Sequence, residues 1–157
     1  MPDERPAVIV SACLLGVACN HQGGSSLASA VVPLGAGHRL VPVCPEVAGG
    51  LPTPRPAAEK GADGRVRTAD GTDVTGFYER GAGHAVALAR AVSAVGAVLK
   101  ARSPSCGCNG IYDGTHRRVL VPGEGVTAGA LRAAGLAVCS DEDVAAGRPL
   151  PWAPPGA

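Results

Sequence analysis

The sequence has very few aromatic residues: one Trp, two Tyr and one Phe among 157 residues. Proteins that hold a single nucleic-acid strand stack its bases on such rings, so this composition disfavours a surface of that kind. The formal net charge is only +1, and no basic block is present beyond Arg117–Arg118. The charge pattern therefore gives no sign of duplex binding. We predict a small-molecule ligand and no clear nucleic-acid surface.

Long hydrophobic segments are also missing. The longest mostly apolar run, Ala7–Ala18, is too short to span a bilayer. The segment Val10–Cys13 resembles a bacterial lipoprotein processing site, but Asp3 and Glu4 stand where a signal peptide carries basic residues. We therefore predict a cytoplasmic protein with no membrane contact. In a reducing compartment, its six cysteines are expected to bind a metal or to act in catalysis rather than to form disulfides.

Hydrophobic residues nevertheless make up 46% of the chain, which is enough for one sizeable core at this length. Short apolar runs predict four strands, at residues 7–12, 40–43, 96–101 and 136–139. Apolar residues at helical spacing predict a long helix over about 76–94, and turn signals predict small β-hairpins near 62–71 and 111–121. Strands alternating with helices indicate an α/β fold. We predict a single three-layer domain, with a mostly parallel sheet of about four strands and helices on both faces.

Composition also predicts where the domain ends and where its helices begin. Residues 1–147 are predicted to form the α/β domain, and the proline-rich residues 148–157 a mobile tail. Closely spaced prolines in Gly49–Pro56 predict a stiff loop that is neither helix nor central strand. Side chains able to cap a helix predict four helix starts, at Ser25 or Ser26, Thr75, Thr127 and Ser140.

Three cysteines stand just past the carboxyl ends of three predicted strands: Cys13, Cys44 and Cys106. If these strands are parallel neighbours, their carboxyl ends share one edge of the sheet. Open α/β sheets bind their ligands in the crevice at that edge. The three thiols are then expected to converge. Three converging thiolates suit an iron–sulfur cluster, or a zinc ion with one position left open.

The other three cysteines are harder to assign. Cys139 has no functional neighbours in the sequence and is expected to be a small core residue. Cys19 can supply a fourth ligand or stabilise its loop, and Cys108 forms a C-x-C pair with Cys106 that is weak evidence for a metal. Two alternatives therefore stay open. One is a sensor or structural protein whose metal or cluster has four cysteine ligands, and the other is a sulfurtransferase that carries a persulfide on Cys106.

Polar residues accompany the three strand-end cysteines. Glu46 stands two positions after the second of them, where a carboxylate in a cleft suits a general acid or base. Ser103 and Ser105 flank a proline in a loop whose backbone N–H groups can form an anion nest, although ordinary turn serines fit the pattern equally well. Lys100, Arg102 and Arg55 can meet a phosphate group of a ligand, although isolated cations are usually ordinary surface residues.

Several of these segments resemble motifs of the bacterial thiouracil desulfidase family. In chain order they are Val10–Gly16, Val41–Val47, Gly49–Pro56, Asp73–Thr75, Ser103–Gly107 and Ile111–Thr115. The resemblance covers about residues 8–145. It implies a 4Fe–4S cluster held by Cys13, Cys44 and Cys106, with a fourth iron free to take the sulfur of a thiocarbonyl base.

The resemblance also implies a reaction and the residues that carry it. The expected substrate is a thiolated uracil, as the free base or a nucleotide, which is converted to uracil with release of sulfide. Glu46 and a serine of the Ser-Pro-Ser-Cys loop, Ser103 in preference to Ser105, are the expected catalytic pair. Arg55 and Arg102 are the expected substrate-binding residues. No net redox change is needed, so no electron-transfer partner is implied.

Overall fold

The computed structural model describes residues 1–154, and its strands include those predicted from the apolar runs. In chain order the strands are β1 (Ala7–Ser11), β2 (Arg39–Val43), β3 (Ala58–Lys60), β4 (Val66–Thr68), β5 (Gly96–Leu99), β6 (Ile111–Tyr112), β7 (Leu120–Val121) and β8 (Ala137–Ser140). The α-helices are α1 (Pro45–Ala48), α2 (Thr75–Ala91), α3 (Val126–Ala133) and α4 (Asp141–Ala145). Two 3₁₀ helices lie at Ala12–Leu15 and Val32–Ala36.

Four strands form one parallel sheet in the order β2-β1-β5-β8. The central strand β1 is buried along its whole length, as expected of a parallel strand covered on both faces. The other strands form two antiparallel hairpins, β3–β4 and β6–β7. The predicted α/β fold, with its parallel four-stranded sheet and small hairpins, is confirmed. The carboxyl ends of β1, β2 and β5 therefore lie side by side.

The two long helices cover one face of the sheet. Ala85 and Ala89 of α2 and Leu131 of α3 form one buried cluster with Ile9 and Leu99 of the strands. Alanines at these helix positions allow α2 to lie close to the sheet. Within the part of the chain that the structure describes, no helix is both long enough and apolar enough to cross a bilayer.

Shorter elements and the chain after residue 147 cover the opposite face. Leu34, Val144 of α4 and Leu150 pack against a buried cluster of β1 and β5 side chains. Trp152 joins them and donates its Nε1–H to His38 Nε2 at 3.2 Å. Part of the predicted tail thus packs on the sheet. Residues 155–157 lie outside the described residues, and mobility there stays a prediction.

The short helix expected to begin at Ser25 or Ser26 does not form. Only the 3₁₀ helix Val32–Ala36 is present in this segment. Pro33 lacks a backbone donor and Gly35 has a low helix propensity, so the segment sustains one tight turn only. A serine able to cap a helix therefore did not predict a helix correctly in a segment that contains proline and glycine.

The other three predicted caps had mixed outcomes. Ser140 forms the predicted capping box of α4. Thr75 is the first residue of α2, and its hydroxyl accepts a hydrogen bond from the Val66 N–H at 2.8 Å instead of capping the helix. The Thr127 hydroxyl pairs with that of Ser105 at 2.9 Å. Both threonines thus tie a helix start to a neighbouring segment.

Helices α1 and α2 meet backbone to backbone. A Cβ on Gly81 would lie 1.9 Å from the Pro45 carbonyl oxygen, so only glycine permits this approach. We expect Gly81→Ala to lower the free energy of unfolding by about 1–3 kcal/mol, because the helices must separate or strain. Gly83→Ala is the matched control in the same helix, since a Cβ added there would meet open space. This change should raise the free energy of unfolding by about 0.5–1 kcal/mol. Urea unfolding measures both, and equal effects would contradict the close contact.

Candidate functional site

The carboxyl ends of β1, β2 and β5 open into one cavity of about 390 Å³. Four of the six cysteines, all of them free thiols, line it: Cys13, Cys19, Cys44 and Cys106. The other predicted site residues at this cavity are Glu46, Arg55, Arg102 and Ser103. Its lining does not include Ser105, Cys108 or Cys139. The fold thus brings together residues from loops that are far apart in sequence.

Cys13 lies in the 3₁₀ helix that follows β1. Gly16 ends that helix in the left-handed conformation, with a φ of 94°. The Cys13 carbonyl accepts hydrogen bonds from the backbone N–H groups of Gly16 and Ser26. Burial raises the pKa of the Cys13 thiol and the neighbouring Cys44 thiol raises it further, while Lys100 opposes the rise. A metal that bound here would displace the thiol proton.

Cys44 directly follows β2 and immediately precedes α1. Its backbone is extended because a following proline disfavours the helical conformation at the residue before it. The Cys44 thiol donates to the Cys19 carbonyl oxygen, with an S–O distance of 3.7 Å. Burial raises the pKa of the Cys19 thiol to about 12, and the charge and hydrogen bonding of Cys44 contribute to the rise. Cys19 is thus the fourth thiol of the cavity, adjacent to Cys44.

The loop that carries Cys106 is held by the start of α3. The N–H groups of Val126 and Thr127 donate to the carbonyl oxygens of Pro104 and Ser105 at 2.9 and 2.8 Å. These bonds satisfy donors at the helix N-terminus that have no partner inside the helix. Burial raises the pKa of the Cys106 thiol to about 12. Main-chain hydrogen bonds, rather than side-chain contacts alone, therefore fix the position of this loop.

The two serines of this loop have different surroundings. The Ser103 hydroxyl oxygen accepts hydrogen bonds from the N–H groups of Ser105 and Cys106 at 3.1 and 3.0 Å. The N–H groups predicted to form an anion nest are thus hydrogen-bonded to the Ser103 hydroxyl oxygen. The Ser103 hydroxyl can still donate its own proton. Ser105 is fully buried, and its hydroxyl pairs with Thr127. The geometry favours Ser103 over Ser105 as the catalytic serine.

Glu46 lies in the first turn of α1 and lines the cavity. Its Oε1 accepts a hydrogen bond from Arg55 Nε at 3.3 Å and another from the Tyr78 hydroxyl. The side chain of Glu46 is 17% exposed, whereas that of Arg55 is 2% exposed and Tyr78 is 1% exposed. The carboxylate is therefore held by two buried donors while it remains accessible.

Arg55 differs from the expected ligand-binding cation. Besides Glu46, it donates to the carbonyl oxygens of Pro52 at 3.3 Å and Cys19 at 2.8 Å, and to the Thr53 hydroxyl at 3.2 Å. All three guanidinium nitrogens are thus engaged by protein groups. Its contact with a substrate stays a prediction. The structure shows that Arg55 is an internal brace, a buried residue whose hydrogen bonds join several segments of the cavity wall.

Two further basic residues line the cavity, Lys100 and Arg102. Arg102 is exposed, and its Nη2 lies 2.8 Å from Glu142 Oε1. Lys100 Nζ lies 3.9 Å from Asp141 Oδ2. The exposed Arg102–Glu142 pair contributes little stability. Arg102 is therefore able to turn toward an anionic ligand, and its contact with a substrate stays a prediction.

The donor set of the cavity is rich in sulfur but is not arranged around one point. Among residues 1–154, no three His, Cys, Asp or Glu side chains lie close enough together to hold a single metal ion. This spacing disfavours the zinc site considered from the sequence. An iron–sulfur cluster binds each cysteine through a different iron, so thiols spread around a cavity suit it better.

Sequence reasoning missed Tyr78. The helical spacing of the apolar residues in α2 does show that it faces the core. Spacing does not show what its hydroxyl contacts. The available signal was chemical: a buried tyrosine hydroxyl needs a hydrogen-bond partner, and here that partner is Glu46.

The fold and the cavity together define a class of protein. A parallel sheet whose carboxyl edge gathers thiols, a carboxylate and a hydroxyl in one ligand-sized cavity is the arrangement of an α/β enzyme with its ligand site at that edge. The family model described as 2-thiouracil desulfurase matches residues 8–143, and the chain belongs to this family.

Two known proteins are similar to this chain over most of its length. The solved structure of the [4Fe-4S]-dependent thiouracil desulfidase TudS is 43% identical in sequence, with a TM-score of 0.83, and the match covers 90% of this chain and 95% of that chain. The protein YbbK of Bacillus subtilis (strain 168), described as uncharacterized, is 37% identical over 146 residues, which cover 87% of this chain and 97% of YbbK. Fold and family thus agree with the resemblance noted in the motifs.

Proposed function

We propose that this protein is a [4Fe–4S]-dependent desulfidase that converts a thiolated uracil, as the free base or a nucleotide, into uracil and sulfide. The observation that carries the proposal is the meeting of Cys13, Cys44, Cys106, Glu46 and Ser103 at one accessible cavity. Membership of the 2-thiouracil desulfurase family and the likeness to TudS support the same reaction.

Cys13, Cys44 and Cys106 would hold the cluster, one from each of the segments that follow β1, β2 and β5. All three are free thiols, and thiolates are the usual ligands of such clusters. When bound through three cysteines, the cluster supplies an iron with an open position, which is a Lewis acid for the sulfur of the substrate. The donors present therefore fit the group.

The overall reaction replaces sulfur by oxygen without a change of oxidation state. Water adds to the carbon that carries the sulfur, the carbon–sulfur bond breaks, and sulfide leaves. Glu46 acts as the base that takes a proton from the water. Ser103 donates its hydroxyl proton to the ring nitrogen or the departing sulfur. Its two backbone N–H donors stabilise the alkoxide left on Ser103. This alkoxide takes the second proton of the added water as the carbonyl forms, and Glu46 releases its proton to the departing sulfide or to solvent.

A centre with four cysteine ligands is the second candidate, because Cys19 lines the same cavity and its carbonyl oxygen accepts a hydrogen bond from the Cys44 thiol. Such a centre would be fully ligated and would serve as a sensor or a structural site. It would have no use for a braced carboxylate and an available hydroxyl at the same cavity. Glu46 and Ser103 therefore favour the desulfidase.

The persulfide-carrying sulfurtransferase fits the geometry less well. Cys106 is 5% exposed, and burial raises its pKa to about 12. A cysteine that attacks sulfur directly needs a lowered pKa and access to its substrate. The position of Cys106 suits a metal ligand better than a lone nucleophile.

The test is anaerobic reconstitution of the full chain with iron and sulfide, followed by removal of the excess and an assay for sulfide release. We expect a brown protein that forms sulfide and the corresponding oxo compound in equal amounts, uracil from 2-thiouracil or 4-thiouracil and a uridine nucleotide from their nucleotides, and an inactive cluster-free protein. A cluster without turnover on any of these compounds would favour the four-cysteine centre. Sulfur transfer by the cluster-free protein in air would favour the sulfurtransferase.

A further inference from the structure

Glu46 is held through only one of its two carboxylate oxygens. Oε1 accepts hydrogen bonds from the Tyr78 hydroxyl and from Arg55 Nε. Within residues 1–154, Oε2 has no hydrogen-bond partner, and it is accessible to solvent. Glu46 lines the cavity, and its two oxygens have different surroundings. Oε1 is hydrogen-bonded to the protein, whereas Oε2 has no partner among the described residues.

The two donors are themselves fixed, and they come from separate segments. Tyr78 lies about one turn before Gly81 in α2, and the close approach of Gly81 to Pro45 holds α2 against the helix that carries Glu46. Arg55 belongs to the proline-rich loop, and its Nη2 donates to the Cys19 carbonyl oxygen at 2.8 Å. Neither donor can move away from Glu46 without breaking other buried contacts.

We propose that Tyr78 and Arg55 are positioning residues that hold Oε1 of Glu46, so that Oε2 is the oxygen that takes the proton from the attacking water. The inference rests on the proposed desulfidase function and deepens it. Both residues also line the cavity, and in this role they act through Glu46. Their effect is to prevent the carboxylate from rotating and to keep one oxygen in reach of the water.

The proton balance agrees with this arrangement. When Oε2 takes a proton, the carboxyl group becomes neutral and Oε1 becomes its carbonyl oxygen, which still accepts both hydrogen bonds. Tyr78 must keep its own proton to donate it. Burial and the nearby negative charge of Glu46 raise the pKa of Tyr78, so the phenol stays protonated at neutral pH. Arg55 is permanently charged.

The test is Tyr78→Phe in the reconstituted holoenzyme, a change that removes only the hydroxyl. We expect kcat to fall about 10- to 100-fold with KM unchanged, the range typical of losing an outer partner that orients a reacting group. Visible absorption and iron content should not change, because the Tyr78 hydroxyl bonds to Glu46 and not to a cysteine. Infrared difference spectra should show a shifted carboxylate band, a readout that is independent of turnover.

A double-mutant cycle separates positioning from a general structural effect. In a Glu46→Gln background, Tyr78→Phe should cause no further loss of kcat, because the residue it positions is already disabled. Thr75→Val is the matched control: it removes a buried hydroxyl from the same helix, bonded to Val66, and should lower the Tm while kcat is unchanged.

Four results would separate the possible failures. An undiminished kcat in Tyr78→Phe, or an equal further loss in the Glu46→Gln background, would overturn the positioning role. A kcat loss in Thr75→Val as large as that in Tyr78→Phe would also overturn it, because any weakening of α2 would then suffice. A wild-type holoenzyme that forms no uracil would instead overturn the proposed function on which the inference depends.

Discussion

Replacing Cys13, Cys44 or Cys106 with serine is expected to abolish both the brown colour and the sulfide release of the reconstituted protein. Each of these residues is the thiol that follows a different strand of the sheet at the cavity. A serine hydroxyl stays protonated at neutral pH and is a hard, poor substitute for thiolate on iron. Iron content, acid-labile sulfide, visible absorption and sulfide release should be measured together on each variant.

Cys19→Ser and Cys139→Ser are the matched controls. Cys19 shares the cavity with the three proposed ligands, whereas Cys139 packs in the core away from it. We expect both variants to take up iron and to keep their colour. Loss of the cluster in Cys19→Ser would show a fourth ligand and contradict the open position. Retention of the cluster in Cys13→Ser would contradict the ligand assignment itself.

Glu46→Gln is expected to lower kcat by about 10²- to 10⁴-fold, the usual contribution of general acid–base catalysis. The amide keeps the shape of the side chain and an oxygen that can accept the hydrogen bond of Tyr78, but it cannot take a proton from water. The cluster should be intact, because the proposed ligands are all cysteines. Steady-state kinetics and visible absorption on the same preparation measure both effects.

The control for this change is Glu124→Gln. Glu124 forms an exposed ion pair with Arg132 at 2.8 Å and is not part of the cavity lining, so turnover should be unaffected. If Glu46→Gln loses its colour together with its activity, Glu46 is a ligand and not the base. If it retains full turnover, the proton is taken by another group.

The sequence was a good guide to the sheet, because strand signals are local. Continuous apolar runs in β1 and β5 are typical of strands covered on both faces, and both form central strands of the parallel sheet. The spacing of small apolar residues likewise predicted α2. The failed prediction after Ser25 has an equally local cause, since a capping residue is not enough to establish a helix in a segment that Pro33 and Gly35 interrupt.

The predicted site could be read from the same local signals for a topological reason. In a parallel sheet every carboxyl end lies at one edge, so a cysteine just past each strand implies a shared location. Cys13, Cys44 and Cys106 do line one cavity, and Glu46 and Ser103 line it with them. Arg55 shows the limit of this reasoning, because position at the edge does not reveal which partners a side chain has.

By itself, then, the sequence determined the α/β fold, the family and the edge at which the reactive residues gather. Only the tertiary structure decided that Ser105 is buried and hydrogen-bonded to Thr127, that Arg55 is an internal brace, and that the Tyr78 hydroxyl is hydrogen-bonded to Glu46. The physical reason is that helix and strand formation depend on neighbouring residues. A hydrogen bond between distant residues instead depends on how closely two backbones approach, as at Gly81 and Pro45.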